Sequence, residues 1–416
     1  MTFQEKLENY ADITVSYGLN IQKGQLLFIM TEPIHRNFAA LVAKKAYKKG
    51  ARYVDVSFSA YMESDPVITD VRLRHSSEND IAFLPPYIKA RYDELVQRRG
   101  AMLSIRGSEF PELFYGADAG HISMMQRQVK QSRHSLHEKG IGEAAMHWCI
   151  VAAATPQWAK QIYPHMSSEE AEMRLWDDIF SITRASHSDG VNRLWKLDAE
   201  LKRRVNILNE MKIDRFHYQG PGTDLEIGLS PLSIFTGGAQ ISKRNATFQP
   251  NIPSEEIFTS PDRKKANGYV RATKPVMVNN QLVEGLEMVF KNGVLVSFSA
   301  TKGDSIFQSL IDTDKGARRI NELAIVGIDS PVFQSGIVFK ETLFDEQAAC
   351  HIALGNGFAF CFTGYDSMAP EELKAAGLNA SLIHQDIMIS DEHTDVFAIT
   401  HSDRAVQVIR KGEFIL

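Results

Sequence analysis

The sequence predicts two domains: an α/β N-terminal domain with a mostly parallel sheet over residues 1–210, then a β-rich α+β domain over residues 211–416. Three observations carry this expectation. Apolar strand-like runs alternate with amphipathic helical runs early in the chain, helical spacing dominates the middle, and short strand-like segments with glycine turns take over from about Phe216.

In chain order, "GQLLFIM" (Gly24–Met30) reads as a buried strand, and "HRNFAALVAKKAYKKG" as a helix closed by Gly50. "ARYVDVSFS" supplies the next strand, and a strand–helix–strand unit implies parallel pairing. The rhythm repeats with helix "PPYIKARYDELVQRRG", strand "AMLSI", helix "HISMMQRQVKQSRHSLHE", strand "HWCIVAAAT" and helix "PQWAKQIYP". "SSEEAEMRLWDDIFSITRAS" opens with serines and acids, which satisfy the free N–H groups and the dipole of a first helical turn. Val191, Leu194, Leu201, Val205, Leu208 and Met211 then recur at helical spacing, in a helix expected to bridge to the second domain, with the boundary near residues 205–218. Beyond it, "FHYQGPGTDLEIGL" predicts two strands around a Gly-Pro-Gly turn, and "QLVEGLEMVFKNGVLVSFSA" a hairpin on Asn292-Gly293. "GDSIFQSLIDTDKGARRINELA" reads as a helix interrupting the strands.

Composition excludes several classes of function. Of 416 residues, 44% are hydrophobic and 23% charged, an ordinary core-forming balance. The net charge of −5 is spread along a chain of mixed sign, so there is no basic footprint for nucleic acid and no polybasic membrane patch. The N-terminal stretch lacks the apolar run of a signal peptide, and no window reaches membrane-spanning length. Cys149, Cys350 and Cys361 are too few for a disulfide framework, and a cytoplasmic protein is expected.

Common catalytic motifs are missing: no HExxH, no GxSxG, no phosphate loop and no complete GxGxxG. What remains is a scatter of acids and histidines in the second half. In "SLIHQDIMIS", His384 and Asp386 share a strand face, as either a structural imidazole–carboxylate pair or two ligands of one ion. "NIPSEEIFTSP" (Asn251–Pro261) offers Glu255 and Glu256, of which at most one faces an ion, and the segment reads equally as a solvated acidic turn. Glu322, in "RRINELAIV", is a ligand or an exposed helical residue. Glu346 and His351 are five apart, a spacing that suits a helical turn feeding a strand, with one ligand on each.

Taken together and in order, "NIPSEEIFTSP", "NGYVRATKP", "LIDTDKGARRINELAIV", "SPVFQSGIVFKETLFDEQAACHIALGNGF" and "LIHQDIMIS" resemble the signatures of the aminopeptidase T (aminopeptidase S, PepS) family of metalloaminopeptidases. The resemblance spans essentially the whole chain from "YADITVSYGLNIQKGQ" and is densest in the second half. It implies a homodimer and an enzyme that hydrolyses N-terminal residues from peptides with two divalent ions (Zn, Co or Mn) in the C-terminal domain. By position, the implied ligands are Glu256, Glu322 as the metal-bridging carboxylate, Glu346, His351, His384 and Asp386. Such an inventory suits a two-ion site, where carboxylates offset charge, imidazoles fix geometry and the ions activate a water. An acid outside the ligand set must carry the proton to the leaving amine, and Glu255 is the candidate, or else a solvated neighbour of Glu256.

The chain departs from the family at two places, one of them after the last ligands, where the family's "IHxDFMIGS" is here "IHQDIMISDE". The resemblance puts a catalytic tyrosine seven residues after His351, and this sequence has Phe358. Tyr365, or another nearby donor, is the candidate replacement for that hydroxyl. Two readings follow: an active dinuclear aminopeptidase, or a metal-bound, catalytically weak homodimer that binds peptides or has a structural role. A phosphoester hydrolase is disfavoured because no Arg/Lys cluster accompanies the ligand segments.

Overall fold

A computed structural model describes residues 1–59, 62–114, 116–278 and 281–416. The chain divides into two compact units, one of residues 1–196 with 239–253, the other of residues 197–238 with 254–416. The helix Gly190–Glu210 carries the chain from the first to the second.

The first unit is built on four parallel strands, β1 (Leu26–Met30), β2 (Tyr53–Ser57), β3 (Ala101–Arg106) and β4 (His147–Ala152), in the order β2-β1-β3-β4. This is the predicted α/β architecture. β1 and β3 are almost wholly buried, as strands covered on both faces are. The helix Arg36–Lys48 follows β1, and Gly50 after it has a φ of +95°, a conformation glycine adopts without a Cβ penalty. The helix Ser168–Ile182 starts in a capping box between Ser167 and Glu170, as the serine-and-acid opening predicts. From β1 the chain moves to β2 on one side and then crosses to β3 on the other, so the winding reverses between β1 and β3.

In the second unit, an antiparallel sheet of eight strands includes the predicted pair Ile213–Gly220 and Thr223–Gly228 and the predicted hairpin Glu287–Lys291 and Val294–Ser299. The hairpin turns on Asn292 and Gly293, with φ of 50° and 76°, so both central residues take the left-handed region that a tight hairpin requires. A Cβ on Gly293 would lie 2.0 Å from the Arg263 carbonyl oxygen, which excludes any other residue there.

A second antiparallel sheet positions the candidate site. Its strands are β5 (Thr236–Gly237), β6 (Ile257–Thr259), β7 (Ile320–Ile325), β8 (His351–Gly355) and β9 (His384–Met388), in the order β9-β8-β7-β6-β5. Directly paired residues of an antiparallel sheet share a face. Phe258 pairs with Ala324, Ala324 with His351, Glu322 with Ala353, Ala353 with Asp386, and Gly355 with His384. These residues therefore line one face. Ile257, Leu323, Ile325, Ile352, Leu354 and Ile387 line the other, buried in an apolar core with Phe216, Leu225, Met288 and Phe307. Each such aliphatic side chain contributes about 1.5–3 kcal/mol when buried, so a one-residue slip of any strand is strongly disfavoured.

One expected element differs. The segment read as a single helix through residues 303–324 is helical only over Asp304–Ile311, and β7 begins at Ile320. The Asp314 carboxylate accepts the N–H groups of Gly316, Ala317 and Leu382, making a turn that competes with continued helix. Ile320–Ile325 is buried at every position, which suits a strand between two neighbours better than an amphipathic helix.

Candidate metal centre

The six residues singled out from the sequence come from five separate segments of the second unit. Glu256 sits one residue before β6, Glu322 in the middle of β7, Glu346 in the 3-10 turn Glu346–Ala348, His351 at the start of β8, and His384 and Asp386 on β9. The turn-then-strand arrangement expected for Glu346 and His351 is what the backbone adopts. Small residues on the same face, Ala324, Ala353 and Gly355, leave room above the sheet for the charged groups.

Two groups of three donors result. Glu256, Glu322 and His351 offer one atom each within 4.8 Å of one another, and Glu322, His384 and Asp386 do the same. Glu322 belongs to both. The shortest contacts across the groups are His351 Nε2 to Glu256 Oε2 at 3.4 Å, His384 Nε2 to Glu322 Oε2 at 3.2 Å and His384 Nε2 to Asp386 Oδ1 at 3.3 Å. The Nδ1 of each ring faces a backbone carbonyl, Ala349 for His351 at 3.3 Å and Asn356 for His384 at 3.0 Å. A carbonyl only accepts, so Nδ1 carries the hydrogen and Nε2 is turned toward the carboxylates, the arrangement that orients histidine ligands in metal sites.

Burial makes this cluster electrostatically demanding. Glu256, Glu322, His351 and Asp386 are buried, and Glu346 is half-buried. Burial pushes the Glu256 carboxyl up to about 7, with His351 opposing and Glu322 adding to the rise. Burial likewise raises Glu346 well above the usual range, reinforced by Glu256, Asp386 and Glu322. Burial pulls His384 down, but Asp386 and Glu322 outweigh it and push the ring up to about 12. His351 is raised too, its burial outweighed by Glu256, Asp386 and Glu322. Asp386 is lowered, because His384 outweighs its burial. Among the described residues, no Lys or Arg pairs with any of the four carboxylates. A buried acid cluster of this kind needs cations to offset it, and mixed oxygen and imidazole donors fit divalent ions such as zinc, cobalt or manganese.

Sequence reasoning missed Gln347. This fully buried amide accepts the Glu255 N–H at Oε1 (2.6 Å) and donates from Nε2 to Glu346 Oε1 (3.2 Å). Nothing in "FDEQAA" marks an uncharged amide as part of a charged site. Glu255 is half-buried and is tied to the cluster through its backbone. Phe358 lies beside the site, its ring centroid 5.1 Å from that of His384, packed with Phe258 and Phe360 at 5.7 and 5.2 Å. Tyr365 packs into the same aromatic cluster.

The thermophilic metalloprotease family M29 matches residues 3–414. The chain belongs to the M29 metalloprotease family. Aminopeptidase PepS of Streptococcus thermophilus is 36% identical over 427 aligned positions, covering 100% of this chain and 99% of that protein. Aminopeptidase T of Thermus aquaticus is 36% identical over 416 positions, with the same coverage of 100% and 99%. The solved structure of wild-type AmpT from Thermus thermophilus matches with a TM-score of 0.91 at 32% identity, over 100% of both chains. The two-part α/β and β-rich fold expected from the sequence is therefore that of an M29 protein. Among the described residues, no helix of this M29 chain is long and apolar enough to cross a membrane.

Proposed function

We propose that the chain is a metal-dependent aminopeptidase that hydrolyses N-terminal residues from peptides, with two divalent ions held by Glu256, Glu322, Glu346, His351, His384 and Asp386. The observation that carries this reading is the pair of donor triads sharing Glu322 on one sheet face. The names of the relatives, which are aminopeptidases, support the same substrate class. When bound, the ions would supply Lewis acidity, acidifying a water and polarising the scissile carbonyl.

The chain's own residues would do the rest. Glu322 holds both ion positions together, while His351 and His384, anchored through Nδ1, keep their Nε2 atoms aimed at the cluster. Glu346 and Asp386 line a small recess beside the charged face with Pro275, Met277, Thr342, Asp345, Gln385 and Met388. Glu255, next to a ligand and with its backbone N–H held by Gln347, would move the proton from the attacking water to the leaving amine. In this reading the chain works as a cytoplasmic homodimer.

Phe358 favours a second reading, a metal-bound but catalytically weak dimer that binds peptides or serves a structural role, because the aromatic group beside His384 has no hydroxyl to donate. A panel of aminoacyl-anilides and short peptides, assayed with Zn²⁺, Co²⁺ and Mn²⁺ alongside measured metal content, separates the two. Cleavage from the N-terminus supports the first. Full metal occupancy without cleavage of any substrate would leave only the second.

A further inference from the structure

Strand β9 ends the site sheet, so among the described residues one of its sides has no partner strand. Its register with β8 runs unbroken from His351 opposite Met388 to Gly355 opposite His384. Just beyond the two ends of that ladder, the Asn356 N–H donates to the Ile383 carbonyl at 2.7 Å and the Ile389 N–H to the Cys350 carbonyl at 2.8 Å. Backbone polar groups alternate sides along a strand. Ile383, Gln385, Ile387 and Ile389 therefore turn their N–H and C=O groups toward β8. Leu382, His384, Asp386 and Met388 turn theirs to the open side.

That side is closed at both ends. The Leu382 N–H donates to Asp314 Oδ2 at 2.7 Å, and the Met388 carbonyl accepts the Thr273 N–H at 2.9 Å. The Asp386 carbonyl accepts from Gln385 Nε2 at 3.1 Å, and Pro275 and Met277 share a recess with Gln385, Asp386 and Met388. Between these closures lies His384. Among the described residues, none hydrogen-bonds its N–H or its C=O. Its side chain is 31% exposed and the residue as a whole more so, which means that its backbone faces solvent. Leu382, two residues before it, is 77% exposed. The other five candidate ligands are buried or half-buried.

A donor and an acceptor on one side of one residue select what can dock there. An extended peptide residue carries the complementary pair and exchanges both bonds, as in strand addition to a sheet edge. A free stretch one residue long is too short to recruit another sheet, which is one way edges are kept from pairing indiscriminately. We infer that the substrate peptide docks on β9 as a short added strand, one of its residues exchanging both backbone hydrogen bonds with His384. The docked residue is the third of the peptide. The first carries the scissile carbonyl and the second the leaving nitrogen, so the third is the first whose N–H and C=O both stand outside the reaction. His384 then serves on two sides, its Nε2 turned to Glu322 and Asp386 and its backbone to the peptide. The inference rests on the proposed recognition of peptides and specifies how they are held.

The probe that tests it is Leu-Ala-Leu-Ala with its first peptide bond reduced to CH₂–NH, which cannot be hydrolysed. It is titrated calorimetrically into the full chain loaded with Zn²⁺. N-methylation of the third residue removes the N–H that reaches the His384 carbonyl and should weaken binding by about tenfold. N-methylation of the fourth, whose N–H points away from β9, should change binding by no more than about twofold. Binding of the unmethylated probe should also slow hydrogen exchange at the His384 N–H. No saturable binding of that probe overturns the inference. So does a fourth-residue methyl group that weakens binding as much as the third, or the absence of added protection at His384. Cleavage of an aminoacyl-anilide, which has no third residue, reads the peptidase proposal alone, so the two can fail separately.

Discussion

The ring of Phe358 lies 5.1 Å from the imidazole of His384, centroid to centroid, and is tilted against it by 47°. Its backbone is clamped: the Phe358 N–H donates to Ser260 Oγ at 2.9 Å. The ring thus holds a fixed place next to a candidate ligand, at the position where the family resemblance puts a catalytic tyrosine. One such donor to a developing oxyanion is worth about 10²–10³ in turnover. Phe358→Tyr is accordingly expected to raise kcat by about 10²-fold with little change in KM, in steady-state assays on an aminoacyl-anilide. An unchanged kcat would show that the missing hydroxyl does not limit the reaction.

Glu322 is the one donor common to both triads, so its removal acts on two ion positions at once. Glu322→Ala is expected to lose both ions together, read as metal content per chain after dialysis against a fixed free-metal buffer. Retention of one ion would assign Glu322 to a single position. Retention of both would mean that the shared-ligand assignment is wrong.

The legibility of the site followed the local pattern of each segment. His384 and Asp386 alternate along β9 with apolar neighbours, so their common face could be read from a period of two. Glu256 and Glu255 were separable in part, because adjacent extended residues face apart, and it is Glu256 that is buried. Glu322 was harder. β7 is buried at all six positions and shows no alternation, so the segment read as the end of a helix. The parallel sheet of the first unit was legible because each strand and helix is complete within a few residues. The grouping of the ligands was not, since it depends on strand pairings between segments as distant as Glu322 and Asp386, aligned in the sheet through Ala353.

Gln347 ties the Glu255 backbone to the Glu346 carboxylate through one amide, and it is expected to act as a positioning residue. Gln347→Ala leaves the Glu255 N–H and the Glu346 carboxylate without that partner. Loss of a group that orients metal ligands typically weakens metal binding by about 10–100-fold. Competition titration against a chelator should find that loss in Gln347→Ala and a smaller one in Gln347→Asn, which keeps the amide but shortens its reach. Metal affinity unchanged in both would confine Gln347 to packing.

Stability should depend on pH in a direction set by the same cluster. Burial holds Glu256 at about 7 against 4.5 for the free group, and Asp345, with Glu341 adding to the rise, at about 7 against 3.8. His384 is pulled down by burial but held by Asp386 and Glu322 at about 12 against 6.5. In all three the folded chain binds its proton more tightly than the unfolded chain does. Their stabilisation is therefore complete below the unfolded values and is lost as pH rises, from about 4 to about 7 for the two acids and from about 6.5 to about 12 for His384. Asp386 is shifted the opposite way, but its effect falls below 3.8, outside that window. The metal-free chain should thus show a Tm that declines from about pH 6.5 to about pH 9, above the range in which buried His35, held down at about 4 by its burial, pulls the other way. Divalent ions compete with protons for the same donor atoms, so their affinity should climb across neutrality and flatten the decline. Thermal melts across that range, with EDTA and with saturating Zn²⁺, check both halves. A metal-free Tm that rises with pH, or a decline that Zn²⁺ leaves untouched, would contradict a buried acid cluster that takes up either protons or metal.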